Sequence, residues 1–462
     1  MTKDTQSLRF ANIYSDNLVL QQGAPITVWG FCEGGTVTVG LYDGERELCT
    51  ASDRAQDGRW KAVLPPMGVA RGLTLQASCG GETVRCENVA VGEVWVCSGQ
   101  SNMECDFNYC SGTENYLEEC GQYDVRFMDV EQAIRFERQE EAVSSRWVLM
   151  DRETVLPVGV AAYIFGHCLA KELAVPVGLI RDYRSGNSII TFLSEERMRA
   201  RAEYAPFVEQ YLAEKQETKS AWSMIPIAIY NAMTAPIEAF RVRGVYWYQG
   251  ESDAAFDRPG YYPQLLDDLV EQWRCAFCDP KLPVLLVQLP PFGDDPFDYK
   301  TVRQTQFGLA RRDENVHLVV TADLGPTGEE GESAIHPMYK NPIGERAARA
   351  ACAEVYQVPD SGEWSGPLFE RAEVYGNKTI LHFSHFGEGL CSDGPLRGFE
   401  FSRDGAYFAP VNATITGRST VELDGAAKIV RYCFINMTED RTLGGNLTNE
   451  TGVPASPFVE IL

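Results

Sequence analysis

The sequence predicts an α/β protein: a mainly parallel, doubly wound sheet over residues 91–357, flanked by β-sandwich-like modules over 1–90 and 358–462. Three observations carry this. The middle of the chain alternates short apolar runs with helical periodicity. The first 90 residues and the last hundred carry only short β-type runs, separated by Gly, Pro and Asp-Gly signals.

In order along the chain, Ile26-Thr27-Val28-Trp29-Gly30, Thr36-Val37-Thr38-Val39, Trp60-Lys61-Ala62-Val63-Leu64 and Leu73-Thr74-Leu75-Gln76-Ala77 read as the strands of the first module. Buried strands follow at 92–97, 176–182, 242–248, 283–289 and 316–322, and helices near 159–174, 261–274, 299–312 and 342–356. Pro342 suits the first turn of the last helix, where a missing N–H leaves no bond unmade. In the final module, Thr379–Phe383, Gly398–Phe401 and Lys428–Phe434 are strands, with Asp404-Gly405 and Asp424-Gly425 as hairpin turns. An open parallel sheet places its active site beyond the carboxyl ends of its strands, and Ser101, Asp182, Gln249 and Asp323 all fall there.

With 41 basic and 65 acidic residues among 462, the net charge is −24, which repels phosphate backbones and anionic membrane surfaces. Neither a nucleic-acid nor a membrane partner is expected; the sequence is compatible with a homo-oligomer. Met1–Ser7 has none of the apolar character of a secretory signal, and no run approaches the ~18 apolar residues of a membrane span, so a cytoplasmic location is expected. The fourteen cysteines fit reduced, mostly buried thiols; Cys275 and Cys278 have C-x-x-C spacing but no second pair nearby.

Chemistry concentrates in three places. Val94-Trp95-Val96-Cys97 runs into Ser98-Gly99-Gln100-Ser101-Asn102-Met103, where a Gly-flanked serine at a strand end can present a nucleophile. A serine needs a base, and His336, after a Gly/Glu-rich loop and before Pro337, stands apart from His167, His317, His382 and His385, which sit in periodic elements. Tyr246-Trp247-Tyr248 leads into Gln249-Gly250-Glu251-Ser252-Asp253, where Gln249 can donate to an oxyanion and Glu251 or Asp253 can orient a histidine or hold a substrate hydroxyl. Trp95, Trp247 and Tyr248, on buried strands, read as core rather than as sugar platforms. Asn102 reads as a helix cap or a brace for the loop backbone.

These blocks resemble the sialate O-acetylesterase and carbohydrate acetylesterase branch of the SGNH hydrolases. The resemblance rests on Gly92–Glu104, Arg243–Ser252, and Ile335-His336-Pro337 with Lys340 and Ile343-Gly344-Glu345-Arg346. Weaker echoes are Asp16–Gln21 and Leu447–Phe458, with Ile229–Met233 around Asn231 fainter still. It implies a flavodoxin-like SGNH hydrolase domain, an acetylated mono- or oligosaccharide substrate, and no metal or organic cofactor. It also implies Ser101 as nucleophile, His336 as base and then acid, and an oxyanion hole of the Ser101 and Gly186 backbone N–H groups with the Gln249 side chain.

Two departures stand out. The Asp that commonly precedes the histidine in relatives is replaced by Ala334 and Ile335, with Glu332 and Glu330 farther back; the resemblance to a related branch of carbohydrate acetylesterases, which draws the acid from the Gln-Gly-Glu block, implies Glu251 as the preferred orienting carboxylate, with a bare Ser101–His336 dyad as the alternative. Where relatives read Trp-Gly-Gly-Thr, this chain reads Arg184-Ser185-Gly186-Asn187, which makes Arg184 and Asn187, with Asp253, candidates for substrate contact; Arg184 can pair with a sugar carboxylate. The resulting expectation is an esterase removing sugar O-acetyl groups, of the sialate type. The alternatives are an acetylesterase for xylan or mannan fragments and a catalytically degenerate carbohydrate-binding protein. A lipase or thioesterase fits poorly, because no amphipathic lid is apparent.

Overall fold

The computed structural model describes residues 7–217, 224–255, 258–293 and 296–462. Its organising element is the strand Glu82–Gly99. The first half pairs antiparallel with Ala70–Cys79, and the second half pairs in parallel with Val177–Tyr183 on one side and Gly244–Tyr248 on the other. Burial follows this change: residues 82–88 are mostly exposed or half-buried, whereas Val89–Gly99 is buried throughout, as in a strand covered on both faces. The boundary drawn from sequence at residue 90 thus falls inside one unbroken strand.

The central sheet runs in the order Ser145–Leu149, Val125–Val130, Val177–Tyr183, Glu82–Gly99, Gly244–Tyr248, Val284–Val287, Val316–Val319. Neighbours are parallel except at the first edge, where Ser145–Leu149 is antiparallel to Val125–Val130. The chain leaves the central strand to one side and then crosses to the other, so a topological switch point lies at the carboxyl end of Glu82–Gly99. Among the helices, Val160–Leu173 packs on Asn341–Ala350, and Tyr262–Ala276 on Tyr299–Arg312. The first pair comes close because Gly344 has no side chain: a Cβ there would sit 2.8 Å from the Ala161 carbonyl.

Both flanking regions are β-rich. The N-terminal one holds a three-stranded sheet of Arg9–Phe10, Ile26–Phe31 and Arg59–Leu64 beside the Thr36–Asp43, Arg46–Arg54 and Ala70–Cys79 strands that continue into the central sheet. The C-terminal one has two four-stranded antiparallel sheets, one containing Leu368–Tyr375 and the other ending in Phe458–Ile461. Phe369 and Phe458 stack between these sheets with ring centroids 4.2 Å apart. Arg303, buried on helix Tyr299–Arg312, ties this region to the centre by donating to the carbonyls of Pro290 at 3.0 Å and Asn436 at 3.0 Å.

At the switch point two strands almost touch. Gly99 has φ +140°, and a Cβ built on it would lie 2.1 Å from the Tyr248 carbonyl oxygen. That same oxygen accepts the Gln100 N–H at 3.2 Å. Any side chain at 99 would push the serine turn off the neighbouring strand. Gly99→Ala is therefore expected to lower stability by more than about 2 kcal/mol. Gly376→Ala, at φ +60° in an open hairpin turn, is expected to cost about 1 kcal/mol. Urea unfolding midpoints of the two variants check this; equal losses would contradict the close-approach account.

Candidate active site

Ser101 opens the four-residue helix Ser101–Glu104, two residues past the last residue of the central strand. Met103 and Glu104 donate their N–H groups to the Gln100 carbonyl, and Gln100 offers no side-chain cap. The Ser101 N–H, at the first helical position, has no carbonyl of its own helix to bond. The Ser101 hydroxyl lies 2.8 Å from His336 Nε2. This is the contact a serine–imidazole pair needs for the ring to take the hydroxyl proton.

His336 is half-buried in a loop that is held from several sides. Its backbone N–H reaches the Ser333 carbonyl at 2.7 Å, and its own carbonyl accepts the Tyr109 hydroxyl at 2.7 Å. Tyr109 accepts the Ser333 N–H in turn, at 3.0 Å, and stands edge-on to the imidazole. Glu332 accepts from the Met338 and Gly328 N–H groups, so it braces the loop and does not reach the histidine. Burial pushes the His336 pKa below 6.5, and the Lys340 ammonium pushes it further the same way, so both disfavour the protonated ring.

Glu251, expected to orient His336 directly, makes no hydrogen bond to it among the described residues. It is 1 % exposed; one carboxylate oxygen accepts from the Asn102 amide and the other has no partner. Burial raises its pKa to about 7, against the pull of Asn102 and Lys340. The contact fails because Asn102 occupies the space between: its amide nitrogen donates both to Glu251 and, at 3.0 Å, to the Ile335 carbonyl beside His336. The geometry at the serine is thus a dyad, with the carboxylate one residue removed.

The oxyanion residues fare differently from one another. Gly186 lies in an exposed loop at φ +70°, in open space. That loop is fastened on both sides of Ser101: the Arg184 N–H donates to the Gly99 carbonyl at 3.1 Å, and Ser185 donates its N–H and hydroxyl to Glu104 at 2.8 and 2.6 Å. Gln249 is wholly buried, and its amide nitrogen faces three acceptors: Gln100 Oε1 at 3.1 Å, the Asn187 carbonyl at 3.2 Å and Asp253. Two protons shared among three acceptors leave none for an oxyanion, so in this arrangement Gln249 joins the strand ends to the loop.

Of the three residues expected to contact substrate, two are turned inward. Asp253 is wholly buried, accepting the Ile189 N–H at 2.9 Å as well as the Ser188 hydroxyl and Gln249. Asn187 is 2 % exposed and donates to the Arg184 and Ser185 carbonyls, shaping its own loop. Arg184 remains half-buried at the loop's start. Trp95, Trp247 and Tyr248 lie in the core, and Asn231 is buried, bonded to the Arg135 and Phe136 carbonyls. Asp182 is also enclosed, its pKa raised to about 7 by burial, with Ser98 and Thr234 as donors.

Sequence reasoning passed over Tyr109, placed Lys340 in the histidine block without a role and gave Asn102 only a local one. Lys340 has no exposed surface, donates to Asn102 Oδ1 and stands 5.4 Å over the Tyr248 ring. Burial lowers its pKa. Among the described residues no group of His, Cys, Asp and Glu is arranged to hold a metal ion, and Cys275 and Cys278 are exposed and free. A cavity of about 800 Å³ opens beside Trp29, Arg59 and Arg138 and is lined by neither Ser101 nor His336. Chemistry rather than volume selects the site.

Comparison with known proteins points to carbohydrate esterases. The chain is 26 % identical to human sialate O-acetylesterase, aligned over 98 % of this chain and 92 % of the human protein. It is 25 % identical to the mouse enzyme, over 98 % and 94 %. The crystal structure of a carbohydrate acetylesterase from Xanthomonas citri superposes with a TM-score of 0.83 at 25 % identity, covering 98 % of this chain and 99 % of that one. The family model described as carbohydrate esterase, sialic acid-specific acetylesterase, matches residues 91–352, more than half of the sequence, and the chain belongs to that family.

Proposed function

We propose that this chain is a serine esterase of the SGNH type that removes O-acetyl groups from a sialic-acid substrate through an acetyl-enzyme intermediate. The observation that carries the reading is the 2.8 Å contact between the Ser101 hydroxyl and His336 Nε2 at the switch point of a parallel sheet. The chemistry belongs to residues 91–357, with the β-rich flanks as support. The relatives' names supply the sugar class.

In this mechanism neutral His336 takes the Ser101 proton as the hydroxyl oxygen attacks the acetyl carbonyl. Negative charge develops on the carbonyl oxygen, where the Ser101 and Gly186 N–H groups are the available donors; one such donor contributes roughly 2.7–4 kcal/mol in comparable sites. The tetrahedral intermediate collapses as His336 gives its proton to the departing sugar oxygen. Water, deprotonated by the same imidazole, then attacks the acetyl-serine carbonyl; the Ser101 Oγ–acyl bond breaks, the imidazolium returns its proton to Oγ, and acetate leaves. The intact dyad disfavours the degenerate binding-protein reading.

Ser101→Ala and His336→Ala are each expected to lower acetate release from O-acetylated sialic acid by at least about 10³-fold, with little change in unfolding midpoint. A panel adding acetylated xylo- and manno-oligosaccharides ranks the sugars. Preference for the neutral oligosaccharides would overturn the sialate assignment and keep the esterase.

The pH dependence has a defined sign. Protonation of His336 removes the base, and its pKa lies below the ordinary 6.5, so the limb of kcat/KM that belongs to His336 is expected to be centred below pH 6.5. Glu251, near 7, is the competing titrating group; the limb that survives Glu251→Gln belongs to His336. A surviving limb above 6.5 would contradict the assignment. If Arg184 meets the substrate carboxylate, Arg184→Met raises KM about tenfold for acetylated sialic acid and leaves a neutral acetyl ester unaffected.

A further inference from the structure

We infer that Asn102 is the positioning residue that holds the base on the nucleophile, and that Lys340 and Glu251 act as an opposed charge pair that orients its side chain. The inference rests on Ser101 and His336 being the reacting pair. Every hydrogen-bonding group of the Asn102 amide is engaged: Oδ1 accepts from Lys340, and the nitrogen donates to Glu251 and to the Ile335 carbonyl. Asn102 follows Ser101 directly, and Ile335 directly precedes His336. One buried carboxamide therefore joins the peptide next to the nucleophile to the peptide next to the base.

Charge gives this link its direction. Lys340 is 0 % exposed and Glu251 1 % exposed, so each ion is removed from water and has to be balanced by the other. The cation lies on the carbonyl side of the amide and the carboxylate on the nitrogen side, which is the orientation an amide dipole prefers. Flipping the amide would set its NH₂ against the ammonium and its oxygen against both the carboxylate and the Ile335 carbonyl. The side chain is thus confined to one pose without any bond from a carboxylate to the imidazole. Neither charged group is exposed enough to meet substrate, so both act through Asn102 rather than on the reacting atoms.

The test is a set of steady-state and labelling measurements on Asn102→Ala, Lys340→Met, Glu251→Gln and the Lys340→Met/Glu251→Gln double variant. The substrate is 4-nitrophenyl acetate, and a fluorophosphonate probe reports the reactivity of Ser101. Asn102→Ala is expected to lower kcat about 10²-fold, as a misplaced base does, with KM unchanged and slower probe labelling. Lys340→Met and Glu251→Gln are each expected to lower kcat. The double variant, with no buried charge left unbalanced, is expected to exceed the product of the single effects by roughly tenfold.

Glu251→Gln keeps the shape and an acceptor for Asn102, so it reports even if Lys340→Met folds poorly. Parental kcat in Asn102→Ala, or strictly multiplicative effects of Lys340→Met and Glu251→Gln, overturns the inference. Ser101→Ala run alongside separates this failure from another. Retained turnover there would remove the dyad itself, whereas lost turnover with an unimpaired Asn102→Ala would leave the dyad and remove only the clamp.

Discussion

The close approach of Gly99 to the Tyr248 carbonyl is the constraint on which the site depends. It draws together the ends of two parallel strands, and each strand then delivers its chemistry within a few residues: Ser101 and Asn102 from one, Gln249, Glu251 and Asp253 from the other. Gly250, at φ +146° with a Cβ that would lie 2.8 Å from Val302, lets the second strand turn equally sharply. The loop from Arg184 and the loop carrying His336 are then fastened to this pair of turns by hydrogen bonds to Gly99, Glu104 and Asn102. Backbone sterics come first, and the polar network is built upon them.

Behind the serine lies an unusual density of buried ionisable groups. Burial raises the pKa of Asp182, Glu251 and Asp253 and lowers that of Lys340, while Lys340 and Glu251 each pull the other back toward its charged form. Asp182 and Asp253 are satisfied by hydroxyl, amide and backbone donors and serve to join strands to loops. Glu251 differs, with one oxygen left unpartnered and a lysine on the far side of Asn102. Groups of this kind are costly to bury unless they are paired and hydrogen-bonded.

Much of this could be read from residues alone. The apolar runs at 92–97, 176–182, 242–248, 283–289 and 316–322 coincide with central strands because a strand covered on both faces has to be apolar throughout. Val125–Val130 was harder to see, since Arg126 and Asp129 interrupt the run; Arg126 is buried through its pairing with Asp124. The continuity of Glu82–Gly99 is hidden by a change of environment near Asn88, at φ +54°, where the strand crosses from a one-faced to a two-faced sheet. Ser101 and His336 stand out through their settings. The roles of Asn102 and Lys340 do not, because a lysine reads as surface and an asparagine after a serine reads as a cap until the partners 233 and 238 residues away are in view.

The central claim is that Ser101 carries the acetyl group between the two half-reactions. Its most direct test is rapid acid quenching during turnover of an acetyl ester, followed by digestion and mass spectrometry. A single acetyl increment on the peptide bearing Ser101, absent from Ser101→Ala and persisting longer when His336 is replaced, is the predicted result. Steady turnover by the parent chain with no acetylated Ser101 at any quench time, or an increment on another residue, would contradict it.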